Sequence, residues 1–293
     1  MDTSINYQKP KIVAEIGCNH KGDFEIAKEL ILLAKESKAT YAKFQKRNPK
    51  ELLTDDQYNS PHPNPMHSFG QTYGEHREKL ELPIEQHREL FDFCNEVGIK
   101  YSTSVWDITS AIEIISLNPD FIKVPSACNN NFDLLEVLRD QYHGEIHVSF
   151  GMTTHAEEES IIDFFSQHNK GKDRLVIYSC TSGYPVPFED VCLLEIKRMR
   201  EAYKDKVRDF GFSGHHLGIA IDNAAYTLGA NWIERHFTKD RTWKGTDHAA
   251  SLEPPGLSKL VRDLNATSKC LTFKQEQILE IESIQREKLK FRK

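Results

Sequence analysis

Two segments near the end of the chain, residues 211–216 and 232–238, each place a histidine where a strand-like run ends. Side chains alternate along a strand, so His236 shares a face with Glu234, and His215 occupies the same kind of position one strand earlier. Two imidazoles on neighbouring strands can hold one divalent cation and leave coordination positions free for a substrate oxygen. A histidine at a strand end is more often hydrogen-bonded or exposed to solvent, so this plainer interpretation stays open beside the metal site.

Polar side chains occur at the ends of all eight strand-like runs, and their types suit one chemistry. Those of inward parity, or directly beside it, are Glu15, Lys43, Gln45, Ser102, Thr103, Ser104, Lys123, Ser126, Ser149, Ser182, Tyr184, Ser213, His215, Glu234 and His236. Lysine offers a point charge and hydroxyls donate hydrogen bonds, so the group suits a phosphate. With a metal on His215 and His236 to polarise a second substrate, and Glu15 to move a proton or hold a water, these residues predict a two-substrate condensation site.

The two lysines leave a second mechanism open. A buried lysine whose pKa is lowered can form a Schiff base, as in an aldolase, and Lys43 or Lys123 is suited to that role. Binding of a phosphate or carboxylate is the preferred interpretation once a metal is allowed.

These residues need a scaffold that brings eight strand ends together. Strand-like and helix-like runs alternate along the chain, which is typical of βα units and a parallel sheet. The predicted strands are 11–17, 40–45, 100–105, 120–124, 145–149, 174–180, 208–212 and 230–235. The predicted helices are 23–37 with Asp23 as N-cap, 84–97, 108–117, 132–140, 155–168, 188–204, 217–228 and 255–270. Eight of each predicts an α/β fold, a closed (β/α)8 TIM barrel, because an open sheet would usually show a glycine-rich dinucleotide motif, which residues 17–22 do not contain.

One connection, residues 46–82, is unusually long and rich in His, Pro, Asn and Gly. A connection of this length is usually functional or disordered, so it is either a lid that brings Tyr73, His76 or Arg77 to a substrate or a solvated excursion. We expect a catalytic barrel over residues 1–270 and a helical tail over residues 271–293, which packs outside the barrel or reaches a partner subunit.

Composition excludes several classes of partner. The chain has 293 residues, 39% of them hydrophobic and 28% charged, with a net charge of −6, so it lacks the basic surface typical of nucleic-acid binding. Its start contains no apolar signal region, and no stretch approaches the roughly 18 apolar residues of a membrane span. Six scattered cysteines without a C-x-x-C pair predict reduced thiols. We therefore expect a cytoplasmic protein that acts on small molecules, with no nucleic-acid or membrane partner.

Several motifs taken together resemble one enzyme family. They are AEIGCNHKGD (14–23), AKFQ (42–45), YSTSVWD (101–107), FIKVPSACNN (121–130), VSFGM (148–152), YPVP (184–187), GFSGHHLG (211–218), ERHFT (234–238) and DHAASLEP (247–254). Over roughly residues 10–270 the chain resembles the N-acetylneuraminate (sialic acid) synthases. The resemblance implies a (β/α)8 barrel that joins phosphoenolpyruvate to an N-acetylmannosamine-type amino-sugar, releasing phosphate and a sialic acid-like nonulosonic acid. It also implies a divalent cation, typically Mn2+, with Mg2+ or Co2+ as alternatives.

The resemblance assigns roles to individual positions. It implies that His215 and His236 are the metal ligands and that Glu15 is the acid/base group. Positions that hold phosphoenolpyruvate in the family correspond here to Lys43, Thr103, Lys123, Ser126, Ser149 and Ser213. Positions that line the acceptor sugar correspond to Gln45, Tyr184 and Asp247. Ser182 stands where an asparagine is common, and Cys128 where a sugar-contacting glutamate is often found.

The resemblance also implies a homodimer, and it leaves alternatives. Typical members continue into a small antifreeze-like domain that supplies an arginine to the partner's sugar site, and this chain stops at Lys293, where the linker to that domain would begin. We expect either a protein without that domain or a fragment. The alternative functions are a phosphoenolpyruvate-dependent 3-deoxy-ulosonate synthase that acts on another aldose, and a non-catalytic sugar-binding barrel. Metal-dependent barrel hydrolases usually open with His-x-His on strand one, whereas this chain has Asn19-His20.

Overall fold

The computed structural model describes residues 5–166 and 171–291, and its strands form a closed barrel. Each strand pairs in parallel with the next along the chain, and the last pairs with the first. The strands are β1 (Lys11–Gly17), β2 (Tyr41–Lys46), β3 (Lys100–Val105), β4 (Phe121–Val124), β5 (Glu145–Ser149), β6 (Leu175–Cys180), β7 (Asp209–Gly214) and β8 (Trp232–His236). The predicted (β/α)8 TIM barrel is therefore confirmed.

Helices follow the strands on the outside of the barrel. They are α1 (Phe24–Glu36), α2 (Pro49–Leu52), α3 (Asp55–Asn59), α4 (Tyr73–Lys79), α5 (Ile84–Val97), α6 (Ile108–Ile115), α7 (Phe132–Gln141), α8 (His155–Ser166), α9 (Gly171–Arg174), α10 (Leu194–Tyr203), α11 (Ala220–Thr227), α12 (Pro254–Cys270) and α13 (Glu280–Leu289). Short 3₁₀ helices span Pro65–His67, Phe188–Asp190 and His248–Ala250. The helix predicted over 188–204 is thus split, and positions 167–168 of the helix predicted over 155–168 lie outside the described residues.

Local sequence signals explain where these helices begin and end. Asp23 caps α1 as predicted, because its carboxylate accepts hydrogen bonds from the backbone N–H groups of Glu25 and Ile26. Asp107 caps α6 in the same way. Gly98 ends α5 in the left-handed conformation, at φ +75°, which glycine adopts without steric cost.

The barrel interior is layered. Apolar and aromatic side chains fill the end where the strands begin, in a cluster made of Val13, Tyr41, Phe121, Val176, Tyr178 and Trp232. The rings are in contact, with centroids 5.0 Å apart for Tyr41 and Phe121 and 5.3 Å apart for Phe121 and Trp232. Most of these residues lie two positions before a polar residue of the same strand and share its face. The cluster therefore forms a floor under the polar side chains at the carboxyl ends of the strands.

The 46–82 connection is folded rather than irregular. It contains α2, α3 and α4, and a capping box between Thr72 and Glu75 fixes the start of α4. The tail is different, since α12 ends at Cys270 and no residue of α13 is buried. The tail helix is therefore not the outer packing helix that was one of our two expectations. None of the helices in the described ranges is long and apolar enough to cross a membrane.

Candidate active site

A cavity of about 280 Å³ opens at the carboxyl ends of the strands, above the aromatic floor. Eleven of the thirteen predicted site residues line it: Glu15, Lys43, Gln45, Lys123, Ser126, Ser149, Ser182, Tyr184, Ser213, His215 and His236. Strand register accounts for this convergence. Glu15 of β1 lies opposite Lys43 of β2 on one side and His236 of β8 on the other.

Two lysines and two glutamates form a buried charge network at the base of the cavity. Lys43 contacts the Glu15 carboxylate and lies 3.6 Å from Glu234 Oε1, and Lys123 Nζ lies 2.6 Å from the same Glu234 oxygen. Burial lowers the pKa of Lys123 despite the neighbouring carboxylate. Burial alone would raise the pKa of Glu234, but Lys123 and Lys43 together hold it below its usual range. The network thus keeps both lysines in place and available to an anionic ligand.

Hydroxyl and amide groups surround these charges. Lys43 Nζ donates to Ser104 Oγ at 2.7 Å, and Gln45 Nε2 donates to Glu15 Oε1 at 2.8 Å. Ser149 Oγ is buried and has no hydrogen-bond partner in the described part of the chain. Because an unpaired buried hydroxyl costs free energy, Ser149 is poised to bond a ligand in the cavity.

The two histidines meet at the wall of this cavity, with ring centroids 5.3 Å apart. His215 Nδ1 lies 2.9 Å from the carbonyl oxygen of Thr181, so it donates its proton there and leaves Nε2 as the free ring nitrogen. Burial, then His236, lowers the pKa of His215 to about 3, which keeps the ring neutral as a metal ligand must be. His236 Nδ1 is buried without a hydrogen-bond partner, 3.8 Å from Asp247 Oδ2. No three His, Cys, Asp or Glu side chains of the described ranges cluster as a metal centre on their own.

A second cavity of about 240 Å³ adjoins the first on the side of the 46–82 connection. Both cavities are lined by Gln45, Trp106, Tyr184 and His236, which form the passage between them. The second cavity is also lined by the predicted sugar-site residue Asp247 and by the three residues singled out in the long connection, Tyr73, His76 and Arg77. Burial would raise the pKa of Asp247, but His236 and its other neighbours lower it, so it is an anion here.

Thr103 is the predicted site residue that the structure places elsewhere. Its hydroxyl donates to Tyr101 Oη behind the sheet, and the side chain is completely buried there. Ser104, one position later, faces the cavity and contacts Lys43. The assignment of Thr103 to the phosphoenolpyruvate site is therefore wrong in this structure, because the strand turns Ser104 inward.

Three other residues belong to the site although the sequence motifs did not assign them to it. Glu234 is central to the charge network, and its inward parity with His236 was the signal that could have selected it. Trp106 lines both cavities, and Cys180 lines the first, where burial raises the pKa of its thiol. Cys128 lies in neither, but lines an apolar recess of about 170 Å³ that also touches Trp106.

Comparison with known proteins agrees with this geometry. A profile of the NeuB family matches residues 30–276. The chain is 39% identical to the N-acetylneuraminate-9-phosphate synthase of Homo sapiens, over 95% of this chain and 76% of that one. It is 31% identical to the N,N'-diacetyllegionaminic acid synthase of Campylobacter jejuni, over 90% of this chain and 78% of that one.

A solved structure of a relative has the same fold over the whole chain. The N-acetylneuraminic acid (sialic acid) synthetase of Leptospira borgpetersenii superposes with a TM-score of 0.81 at 25% identity, covering 100% of this chain and 97% of that one. The resemblance read from the sequence motifs is thereby confirmed, and the chain belongs to the NeuB family.

Proposed function

We propose that this chain is a phosphoenolpyruvate-dependent synthase that condenses phosphoenolpyruvate with an N-acetylmannosamine-type amino-sugar, giving a sialic acid-like nonulosonic acid and phosphate. The observation that carries the proposal is the pair of buried lysines, held by Glu15 and Glu234, directly beside the pair of histidines His215 and His236. The named relatives support it, since both are synthases of acidic nine-carbon sugars or their phosphates.

Phosphoenolpyruvate fits the first cavity by charge and by hydrogen bonding. Lys43 and Lys123 supply the cations for its phosphate and carboxylate, and the hydroxyls of Ser104, Ser126, Ser149, Ser182 and Ser213 supply donors. In the absence of substrate the two glutamates neutralise the lysines, so the site does not hold uncompensated buried cations.

A divalent cation fits the two histidines, and we propose Mn2+ there, with Mg2+ or Co2+ as alternatives. Neutral His215 offers Nε2, and His236 has a buried ring nitrogen without a partner. When bound, the cation acts as a Lewis acid on the aldehyde oxygen of the acceptor. His215 and His236 would hold the cation, and two protein ligands would leave it accessible to a substrate oxygen.

The chain's own residues then serve a balanced reaction. C3 of phosphoenolpyruvate bonds to the aldehyde carbon of the acceptor, whose oxygen takes up a proton. Water adds to C2 and gives up one proton, which balances that uptake. The C2–O bond then breaks, so that the bridging oxygen leaves with phosphate, and phosphate takes the second proton of the water as the C2 ketone forms. Glu15 lies between Lys43 and His236 in the strand register, so its carboxylate is the group placed to move these protons.

We further propose the organisation expected from the sequence: a catalytic barrel over residues 1–270, a tail over residues 271–293, a homodimer and a cytoplasmic location. The exposed apolar side chains of the tail, among them Ile281 and Ile284, support a contact with a second copy. All six cysteines are free thiols, which supports a reducing compartment.

The test is to incubate the protein with Mn2+, a panel of amino-sugars and phosphoenolpyruvate that carries heavy oxygen at the C2–O bridge. We expect a nonulosonic acid by mass spectrometry and the label in inorganic phosphate. Label retained in the sugar acid would exclude the C2–O cleavage. Sugar binding without phosphate release would favour the non-catalytic barrel, and a borohydride-trapped adduct on Lys43 or Lys123 would favour the Schiff base.

A further inference from the structure

An aromatic ring of the barrel floor lies directly against the ammonium group of Lys123. The ring belongs to Tyr178 of β6, which faces the barrel interior, and Lys123 Nζ lies 4.3 Å from its centroid. Both residues are almost completely buried, with 3% exposure for Lys123 and 0% for Tyr178. A lysine cation is attracted to the electron-rich face of an aromatic ring, and the attraction is strongest where water is excluded.

Lys123 relies on this ring because it has few other partners. Its ammonium carries three N–H groups, and among the described residues it donates a hydrogen bond to Glu234 Oε1, at 2.6 Å, and to no other atom. Lys43, by comparison, contacts two carboxylates and a hydroxyl. With Glu234 on one side and the Tyr178 ring on another, Lys123 keeps an N–H group for the first cavity, which Lys123 lines and Tyr178 does not.

The Tyr178 ring is itself held in place from the other side. Tyr178 Oη lies 2.8 Å from His147 Nδ1, and the His147 ring stacks on Phe121 with centroids 3.9 Å apart and 8° between the planes. His147 Nε2 in turn lies 3.3 Å from Glu145 Oε2. These contacts fix the position of the Tyr178 ring, and therefore the position of Lys123 Nζ against it.

We propose that Tyr178 is a positioning residue for phosphoenolpyruvate binding, because its ring face holds the Lys123 ammonium where the substrate anion binds. This inference rests on the proposed function, which assigns Lys123 to phosphoenolpyruvate. The ring face is the part that acts on Lys123, whereas the hydroxyl anchors the ring to His147. Removing the two parts of this side chain separately should therefore have different effects on binding.

The experiment measures the affinity for phosphoenolpyruvate by calorimetry in the presence of Mn2+, and stability by urea unfolding. Tyr178→Leu removes the ring, so we expect affinity to fall about 5- to 30-fold, the value of a desolvated cation–π contact. Tyr178→Phe keeps the ring, so its affinity should stay within about twofold of the wild type, although the lost hydroxyl lowers its stability. Tyr41→Leu is the matched control, because Tyr41 belongs to the same floor and the lysine over its ring, Lys100, does not line the cavity.

An unchanged affinity in Tyr178→Leu, or an equal loss in Tyr178→Phe or Tyr41→Leu, would overturn the positioning role. If Tyr178→Leu does not fold, Tyr178→Met is the second variant without a ring, since methionine fills irregular gaps in a core. If the wild type does not bind phosphoenolpyruvate, the proposed function fails, and crystal structures of substrate-free wild type and Tyr178→Leu decide the positioning role separately. Displacement of Lys123 Nζ in the variant would support that role, and an unmoved Nζ against Glu234 would overturn it.

Discussion

Replacing Lys123 by methionine separates the two roles of the buried charge network, in stability and in substrate binding. Lys123 and Glu234 are at least 94% buried, and their charged atoms are 2.6 Å apart. Methionine has a similar length but no charge, so the variant leaves the Glu234 carboxylate with Lys43 as its remaining lysine partner, at 3.6 Å. Both folding and phosphoenolpyruvate binding should therefore weaken.

The magnitudes differ for the two effects. Breaking a buried ion pair costs about 3–5 kcal/mol, and Lys43 places the stability loss near the lower end, about 3 kcal/mol. Loss of a hydrogen bond to the substrate anion costs about 1.5–3 kcal/mol, which is a rise of about 10- to 150-fold in KM for phosphoenolpyruvate. The amino-sugar KM should change little, because Lys123 does not line the second cavity.

The double variant Lys123→Met, Glu234→Gln is the decisive control. Removing both charges eliminates the uncompensated carboxylate, so urea unfolding should show most of the stability regained while steady-state kinetics still show the high KM for phosphoenolpyruvate. A folded single variant with an unchanged KM would refute the assignment of Lys123 to the substrate anion. Recovery of the normal KM in the double variant would show that the defect was structural.

Three further outcomes are expected. His215→Ala and His236→Ala should each abolish calorimetric Mn2+ binding and condensation while leaving the melting temperature nearly unchanged, and normal affinity in both would contradict the metal site. Ser104→Ala should raise the KM for phosphoenolpyruvate about tenfold because its hydroxyl bonds the site lysine, whereas Thr103→Val should not; equal effects would contradict the observed register. Burial lowers the pKa of His147 to about 4, so the unfolded state binds the extra proton and stability rises by up to about 1.4 kcal/mol per pH unit between about pH 4 and 6.5. In the variant His147→Phe, urea unfolding at several pH values should show a smaller rise of the free energy of unfolding with pH over this range.

The sequence predicts the barrel because each strand and helix carries its own local signal. The bounds of β1, β3, β5 and α5 agree with the prediction, and each of the other strands differs by one or two residues at one or both ends. Parity along the strands also predicts most of the site, since residues two apart share a face. Glu15, Lys43 and His236 converge for this reason.

Parity and the family resemblance disagree on β3. Parity places Ser102 and Ser104 inward with Thr103 between them, whereas it is the resemblance that assigns Thr103 to the site. The structure decides through packing, because the Tyr101 ring stacks on Phe44 behind the sheet and takes Thr103 with it to the same face. Ser104 is then left on the cavity side.

The 46–82 connection contains local sequence patterns that predict short helices, although its overall composition is typical of a loop. Thr54 with Gln57, and Thr72 with Glu75, are capping boxes three residues apart, and each begins a helix in the structure. Composition rich in His, Pro and Asn suggested an irregular excursion, whereas these local pairs indicate short helices.

The first cavity is lined mainly by residues on or next to strands, whereas the second is lined in part by residues of α4. This difference determines which substitutions can change specificity. The residues proposed to bind phosphoenolpyruvate lie on or next to strands, whose hydrogen-bonded register also fixes neighbouring strands, so moving one disturbs the others. The residues of α4 that line the second cavity are held by local bonds, such as Tyr73 N–H to the Ser60 carbonyl, and by the packing of His76 on His62, whose ring centroids are 4.3 Å apart. His76 is neutral at neutral pH, so the positive charge that α4 presents rests on Arg77. A substitution at that one position can therefore change the charge of the second cavity while the strand residues that line the first cavity keep their positions.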